Sequence, residues 1–143
     1  MYRTLLLFAS VIAVALACSC RTQPKTPKEK FCDSTFVATF TVWGKDGNDT
    51  HIFYTTVADK VFKTNLLIQS GSHIRVITNS QKEACGVTWL ESGKKYLLNG
   101  NRVISGMGIS TCEAISATEW SNVPADVKKS LNRGSYLPCP DKN

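Results

Sequence analysis

Histidine is nearly absent from this chain of 143 residues: His51 and His73 are its two, and they stand far apart. The sequence has no Cys-x-x-Cys and no His-x-x-x-His, which excludes the familiar spacings of a resident zinc site. Both histidines read as half-exposed strand residues. The chain also lacks a Gly-x-Ser-x-Gly elbow and offers no cysteine–histidine couple with a free thiol. Glu83, Glu91, Glu113 and Glu119 read as scattered surface charges. The expectation is a protein that is not an enzyme and has no cofactor of its own. Acidic side chains are also in the minority, 11 against 17 basic ones, for a net charge of +6. The basic residues are dispersed: Arg21, Lys25, Lys28 and Lys30, then Lys94 and Lys95, then Lys128, Lys129 and Arg133. No basic run is interleaved with aromatics, so nucleic acid is not an expected partner. Such a charge suits sulfated matrix glycans, and it also suits a merely solvated basic surface.

Long apolar runs are missing beyond the first residues. A membrane span needs roughly 20 apolar residues, and the one candidate, Leu5 to Val14, is shorter and broken by Ser10. Its flanks match a secretory signal instead. Arg3 is the basic start, and Ala15 and Ala17 are the small residues before a cut. Residues 1–17 are therefore expected to be a signal peptide, and residues 18–143 one domain. Cleavage after Ala17 makes Cys18 the first residue of the mature chain, within Cys18-Ser19-Cys20. A bacterial lipoprotein signal also precedes a cysteine. It prefers a branched apolar residue at −3 and a small one at −2, and here Ala15 and Leu16 invert that order.

All six cysteines, Cys18, Cys20, Cys32, Cys85, Cys112 and Cys139, follow the expected cut. An even number in a secreted chain reads as three disulfides, with the pairing left open by spacing alone. Cys18 and Cys20 are too close to favour each other, so each is expected to reach far along the chain.

Between the cysteines the pattern is β. Residues 21–30, with Pro24 and Pro27, read as an extended surface segment. Phe36 to Trp43 reads as a strand with both faces covered, and Gly44 to Asp49 as a turn. Ile52 to Lys63, His73 to Thr78 and Lys95 to Leu98 read as further strands. Asn99-Gly100-Asn101 reads as a tight turn into a fifth strand, Arg102 to Ser105, with a bend or bulge at Gly106 and Gly108. Ser121 or Asn122 is the expected cap of a terminal helix that Gly134 ends, with Val127 and Leu131 facing the sheet. The fold class is mainly β: a five-stranded Greek-key barrel of the oligonucleotide/oligosaccharide-binding type with a C-terminal helix. A generic sandwich is the competing arrangement. Asn48-Asp49-Thr50 is an N-glycosylation sequon at the expected hairpin tip.

Cys18-Ser19-Cys20 at the expected cut, Phe31-Cys32, Ala84-Cys85-Gly86, Ser110-Thr111-Cys112, Trp120 and Cys139 form one spaced set. In these positions the chain resembles the N-terminal inhibitory domain of tissue inhibitors of metalloproteinases, a netrin-like module. The resemblance spans residues 18–143. It implies the pairs Cys18–Cys85, Cys20–Cys112 and Cys32–Cys139. It implies a secreted, monomeric inhibitor of zinc metalloproteases, matrix enzymes or disintegrin-type ones. Cys18 would chelate the target's zinc through its own backbone nitrogen and oxygen. Ser19 would enter the S1′ pocket, Cys20, Arg21 and Thr22 would follow the primed side, and Glu83, Ala84 and Cys85 would fill the unprimed side.

Two positions depart from the family pattern. Arg21 stands where a small or apolar residue is usual, and Lys82-Glu83-Ala84 stands where Glu-Ser-Val is frequent. No second six-cysteine domain follows Cys139, so partners of such a domain are not implied. The alternative implied by the fold is a non-inhibitory netrin-like module that binds matrix glycans or a receptor.

Overall fold

The computed structural model describes residues 18–20, 23–64 and 68–142. The expected signal segment, Arg21 and Thr22 lie outside the described residues. Two long antiparallel strands, β1 (Phe36–Gly47) and β2 (His51–Lys63), form the hairpin on which the rest is built. They are followed by β3 (His73–Asn79), β4 (Lys95–Val103) and β5 (Gly106–Gly108). The strands close into a barrel in the order β1-β2-β3-β5-β4, with β4 pairing back onto β1. β3 and β5 run parallel and every other pair is antiparallel. This is a five-stranded Greek-key barrel of the expected type.

Period-two alternation sends Phe36, Ala38, Phe40 and Val42 of β1 inward, with Ile52, Tyr54 and Ala58 of β2. Val76, Leu98 and Met107 complete the interior. The opposite face of β1 is covered as well. Val37 and Leu97 pack against Val127 and Leu131 of the terminal helix α2 (Ala125–Arg133), with Phe31 and Val123 beside them. A fully buried large apolar side chain contributes about 1.5–3 kcal/mol, so this second cluster anchors the helix without a side-chain cap. Pro124 occupies the cap position, and Ser121 and Asn122, the expected caps, lie in a 3₁₀ turn just before it. Gly134 ends the helix in the left-handed region at φ 67°, as expected.

Four further local expectations are corrected. The segment 21–30 is not extended to its end: from Pro27 it enters a helix, α1 (Pro27–Asp33). Thr26 caps it, accepting from the Glu29 backbone N–H at 3.2 Å, while the Glu29 carboxylate accepts from the Thr26 N–H at 2.6 Å. That reciprocal box, with Pro27 in the first turn, outweighs the Pro- and Lys-rich composition.

Asn99-Gly100-Asn101 is not a turn but lies inside β4. Gly100 is needed there for close approach, because a Cβ would collide with the Gly108 carbonyl oxygen. The expected fifth strand, Arg102 to Ser105, is the end of β4 and its turn, and Gly106 to Gly108 is itself the fifth strand. Gly106 sits at φ 153°, where a side chain would meet the Arg75 backbone. Finally, the first turn cluster is shorter than expected, because β1 continues to Gly47.

Candidate functional site

The cysteines form three bridges, Cys18–Cys85, Cys20–Cys112 and Cys32–Cys139. The Cα atoms of each pair stand 4.9, 5.5 and 5.5 Å apart, in that order. Each joins segments separated by 67 to 107 residues. In the chain-entropy view a loop of that length is worth up to about 4–5 kcal/mol. The third bridge ties α1 to the tail beyond α2. The first two carry the chain from Cys18 to Cys20 onto two separate loops of the barrel.

Those loops are the connector between β3 and β4, which holds Cys85, and the segment after β5, which holds Cys112. One hydroxyl joins them from inside. Thr78 Oγ1 donates to the Ile109 carbonyl at 2.9 Å and accepts from the Val87 N–H at 2.9 Å. Closer to the bridges, the Cys85 carbonyl accepts from both the N–H and the hydroxyl of Thr111, each at 3.0 Å. The Thr111 hydroxyl also lies 3.5 Å from Cys18 Sγ. Cys85 itself is left-handed at φ 62°, a conformation costing a non-glycine residue roughly 1–2 kcal/mol. Its N–H donates to the Lys82 carbonyl at 3.0 Å. The 3₁₀ turn Lys82–Ala84 therefore leads into it with Glu83 and Ala84 exposed.

Behind the second bridge, Asn99 of β4 is buried and fully engaged. Its amide donates to Ser34 Oγ at 2.8 Å and to the Glu113 carbonyl at 2.7 Å. Its carbonyl accepts from the Ile115 N–H at 2.8 Å. The segment just after Cys112 is thus pinned to the barrel wall and to the end of α1. Lys30 of α1 adds a bond to the Ala114 carbonyl at 2.9 Å. On the other side, Tyr54 donates from the barrel interior to the Val87 carbonyl at 2.8 Å, and burial pushes its phenol up to about 12.

The structure brings Cys18, Cys20, Cys85 and Cys112 together, with Ser19 exposed between its two bridged neighbours and Glu83 and Ala84 adjacent in sequence to Cys85. The sulfurs of Cys18, Cys20 and Cys112 lie within 4.8 Å of one another, but each is committed to a disulfide, so none is a thiolate ligand. His51 and His73, both exposed, stand at opposite ends of the β2–β3 ladder, paired with Asn79 and Val57. Asn48 lies in the exposed turn between β1 and β2. Its side-chain oxygen accepts from the N–H of Thr50 and of His51, each at 2.9 Å. Thr78, Asn99 and Thr111 support the site but were not singled out from the sequence. Thr78 is a polar residue at a strand end, Asn99 figured only as part of the expected Asn99-Gly100-Asn101 turn, and Thr111 only beside Cys112.

The site is thus one short segment clamped by two adjacent disulfides onto a closed barrel. The particular family follows from comparison. Residues 16–140 match the family model described as tissue inhibitor of metalloproteinase. The chain is also 31% identical, over 127 residues, to an NTR domain-containing protein of Margaritifera margaritifera, covering 84% of this chain and 80% of that one. The chain belongs to the tissue inhibitor of metalloproteinase family and is built on its netrin-like domain.

Proposed function

We propose that the protein is a secreted inhibitor of zinc metalloproteases and that its reactive group is the backbone of Cys18. Removal of residues 1–17 would leave Cys18 with a free α-amine beside its own carbonyl. These two atoms form a five-membered chelate on the target's zinc and take the position of its catalytic water. The sulfur plays no part in ligation because it is bonded to Cys85. Only the unprotonated amine donates, so binding releases a proton.

What supports this reading above all is the double clamp. Cys18 and Cys20 are fixed to loops that are themselves tied together through Thr78 and Thr111. A segment held in this way loses little conformational freedom on binding, which is how a short contact gains affinity. Ser19 then enters the S1′ pocket, Arg21 and Thr22 continue along the primed side, and Glu83 and Ala84 extend the contact on the other side. The test compares protein beginning at Cys18 with protein carrying one added alanine, against a panel of matrix and disintegrin-type enzymes. The extended form is expected to fold identically and to inhibit at least about 100-fold less well, equivalent to about 2.7 kcal/mol. Equal inhibition by both forms refutes chelation.

A second reading rests on a surface patch. Phe62 and Trp120 stack with ring centres 5.8 Å apart, Lys60 lies 5.5 Å from the first ring and Lys128 5.2 Å from the second. Lys95 and the carboxylate of Asp59 lie close by. Lysines around a half-buried aromatic pair suit a sulfated sugar chain. Salt-sensitive retention on heparin that Lys60→Ala and Lys128→Ala together abolish would support it.

A further inference from the structure

The two disulfides at the clamp touch each other. Cys112 Sγ lies 3.4 Å from Cys85 Sγ and 3.6 Å from Cys18 Sγ. Anchoring the segment does not require this contact, since two bridges to separate sites would hold it equally well. Chemically the contact matters, because a thiolate opens a disulfide by attacking one of its sulfurs.

We propose that the two bridges form an exchange relay that frees the whole Cys18–Cys20 segment after a single reduction. The Cys20–Cys112 bridge is the entry. Cys20 is exposed, and both cysteines line a cleft with Lys25, Lys30 and Lys142. Asp33 and Glu113 face the same cleft. Asp33 is held by Lys25 at 2.6 Å, and this hydrogen bond holds its carboxyl below its ordinary range. Lys142 also pairs with Asp33, at 3.9 Å, and with three lysines against two carboxylates the wall keeps a net positive charge, which favours thiolate over thiol.

Two equivalents of a small thiol reduce Cys20–Cys112 to two thiols and leave as their own disulfide. The Cys112 thiolate then attacks Cys85 Sγ. The Cys85–Cys112 bond forms, the Cys18–Cys85 bond breaks, and its electron pair leaves on Cys18 sulfur, which takes up a proton. The second step consumes no reductant. In the intact clamp Cys112 Sγ is nearly equidistant from the two sulfurs of the other bridge, so in-line attack requires its side chain to rotate. Breaking its bond to Cys20 permits that rotation.

Attack on Cys85 is favoured over attack on Cys18 by the surroundings. The Cys112 and Cys85 segments are already joined through Thr111 and the Cys85 carbonyl. A Cys85–Cys112 bridge therefore links two neighbours within the body. Cys18, as leaving group, gains chain freedom on departure. The end state keeps Cys85–Cys112 and Cys32–Cys139 and releases Cys18 and Cys20 together. The consequence, loss of inhibition with the barrel intact, rests on the inhibitory reading above.

The test uses secreted protein carrying Cys20→Ser, which leaves Cys112 without its partner and needs no reductant. After alkylation at acid quench, peptide mapping is expected to find Cys85 bridged to Cys112 and Cys18 alkylated in most molecules. Retention of Cys18–Cys85 with Cys112 alkylated overturns the relay. A second arm treats the wild-type protein with limited reduced glutathione and maps it over time. Cys18 and Cys20 are expected to become alkylated together as Cys85–Cys112 appears. Loss of Cys20–Cys112 alone, with Cys18–Cys85 persisting, overturns the relay. Protease inhibition is measured on the same samples. Exchange without loss of inhibition supports the relay and refutes the dependence of inhibition on the clamped Cys18; exchange in protein that inhibits no protease before treatment supports the relay and refutes the inhibitory reading, so the failures are distinguishable.

Discussion

Replacing Asn99 by leucine tests whether the barrel wall holds the clamp in place. The side chain is almost fully buried and makes three hydrogen bonds, to Ser34 Oγ, the Glu113 carbonyl and the Ile115 N–H. Leucine fills a similar volume but offers no polar atom. Ser34 keeps its bond to the Lys30 carbonyl at 2.7 Å, so its loss is small. The Glu113 carbonyl and Ile115 N–H lose their partner in a half-buried place, at about 1–3 kcal/mol each. Added apolar burial returns about 1 kcal/mol. The net cost is about 3 kcal/mol, or a fall in melting temperature of about 10 °C for a domain of this size. Both orphaned groups lie within three residues of Cys112, so the loss is local to the clamp. Inhibition should weaken while all three bridges still form. The assay is thermal unfolding by circular dichroism, with inhibition titrated on the same material. A melting point within about 3 °C of wild type, roughly 1 kcal/mol, would show that the Asn99 network does not hold this segment.

Three further outcomes follow from the same structure. Inhibition should strengthen as pH rises towards about 7.7–8.0, the range of a free α-amine, and level off above it; a flat profile from pH 6 to 9 in titrations corrected for the enzyme's own pH dependence would count against amine ligation. Tyr54, raised by burial to about 12, should make the fold pH-sensitive at the alkaline end. Its folded pKa exceeds the unfolded value near 10, so stability is full below pH 10 and falls by up to about 3 kcal/mol between pH 10 and 12. Denaturant unfolding should show that limb in the wild type and a flatter one in Tyr54→Phe. Thr26→Ala removes the cap of α1 and should cost about 1 kcal/mol in the same assay, with no change in inhibition.

The cysteine framework and the strand pattern were open to reading because both are local or countable. Alternation over Phe36 to Val42 and over Ile52 to Ala58 shows in the letters, and the interior of the barrel follows it. Val127 and Leu131, four residues apart, marked the buried face of α2. The box that starts α1, Thr26-Pro27-Lys28-Glu29, was equally local and was masked by the proline and lysine around it. Asn99 and Gly100 were different. Both carry turn chemistry, and both serve a strand instead, one as a buried hydrogen-bonding hub and the other as a place where β5 comes close.

The sequence by itself determined that this chain has six cysteines after an apolar stretch, strand alternation, a terminal helix pattern and neither Cys-x-x-Cys nor His-x-x-x-His. The cysteine-bearing motifs also carry the resemblance to the family that the family model then shows. Tertiary structure alone decided which hydroxyls and amides brace the clamp, and that the two bridges lie in contact. The physical reason is range. Periodicity and capping act over a few residues and leave a trace in the letters. The contact between Cys112 and Cys85 exists only because the barrel closes and brings together loops 27 residues apart.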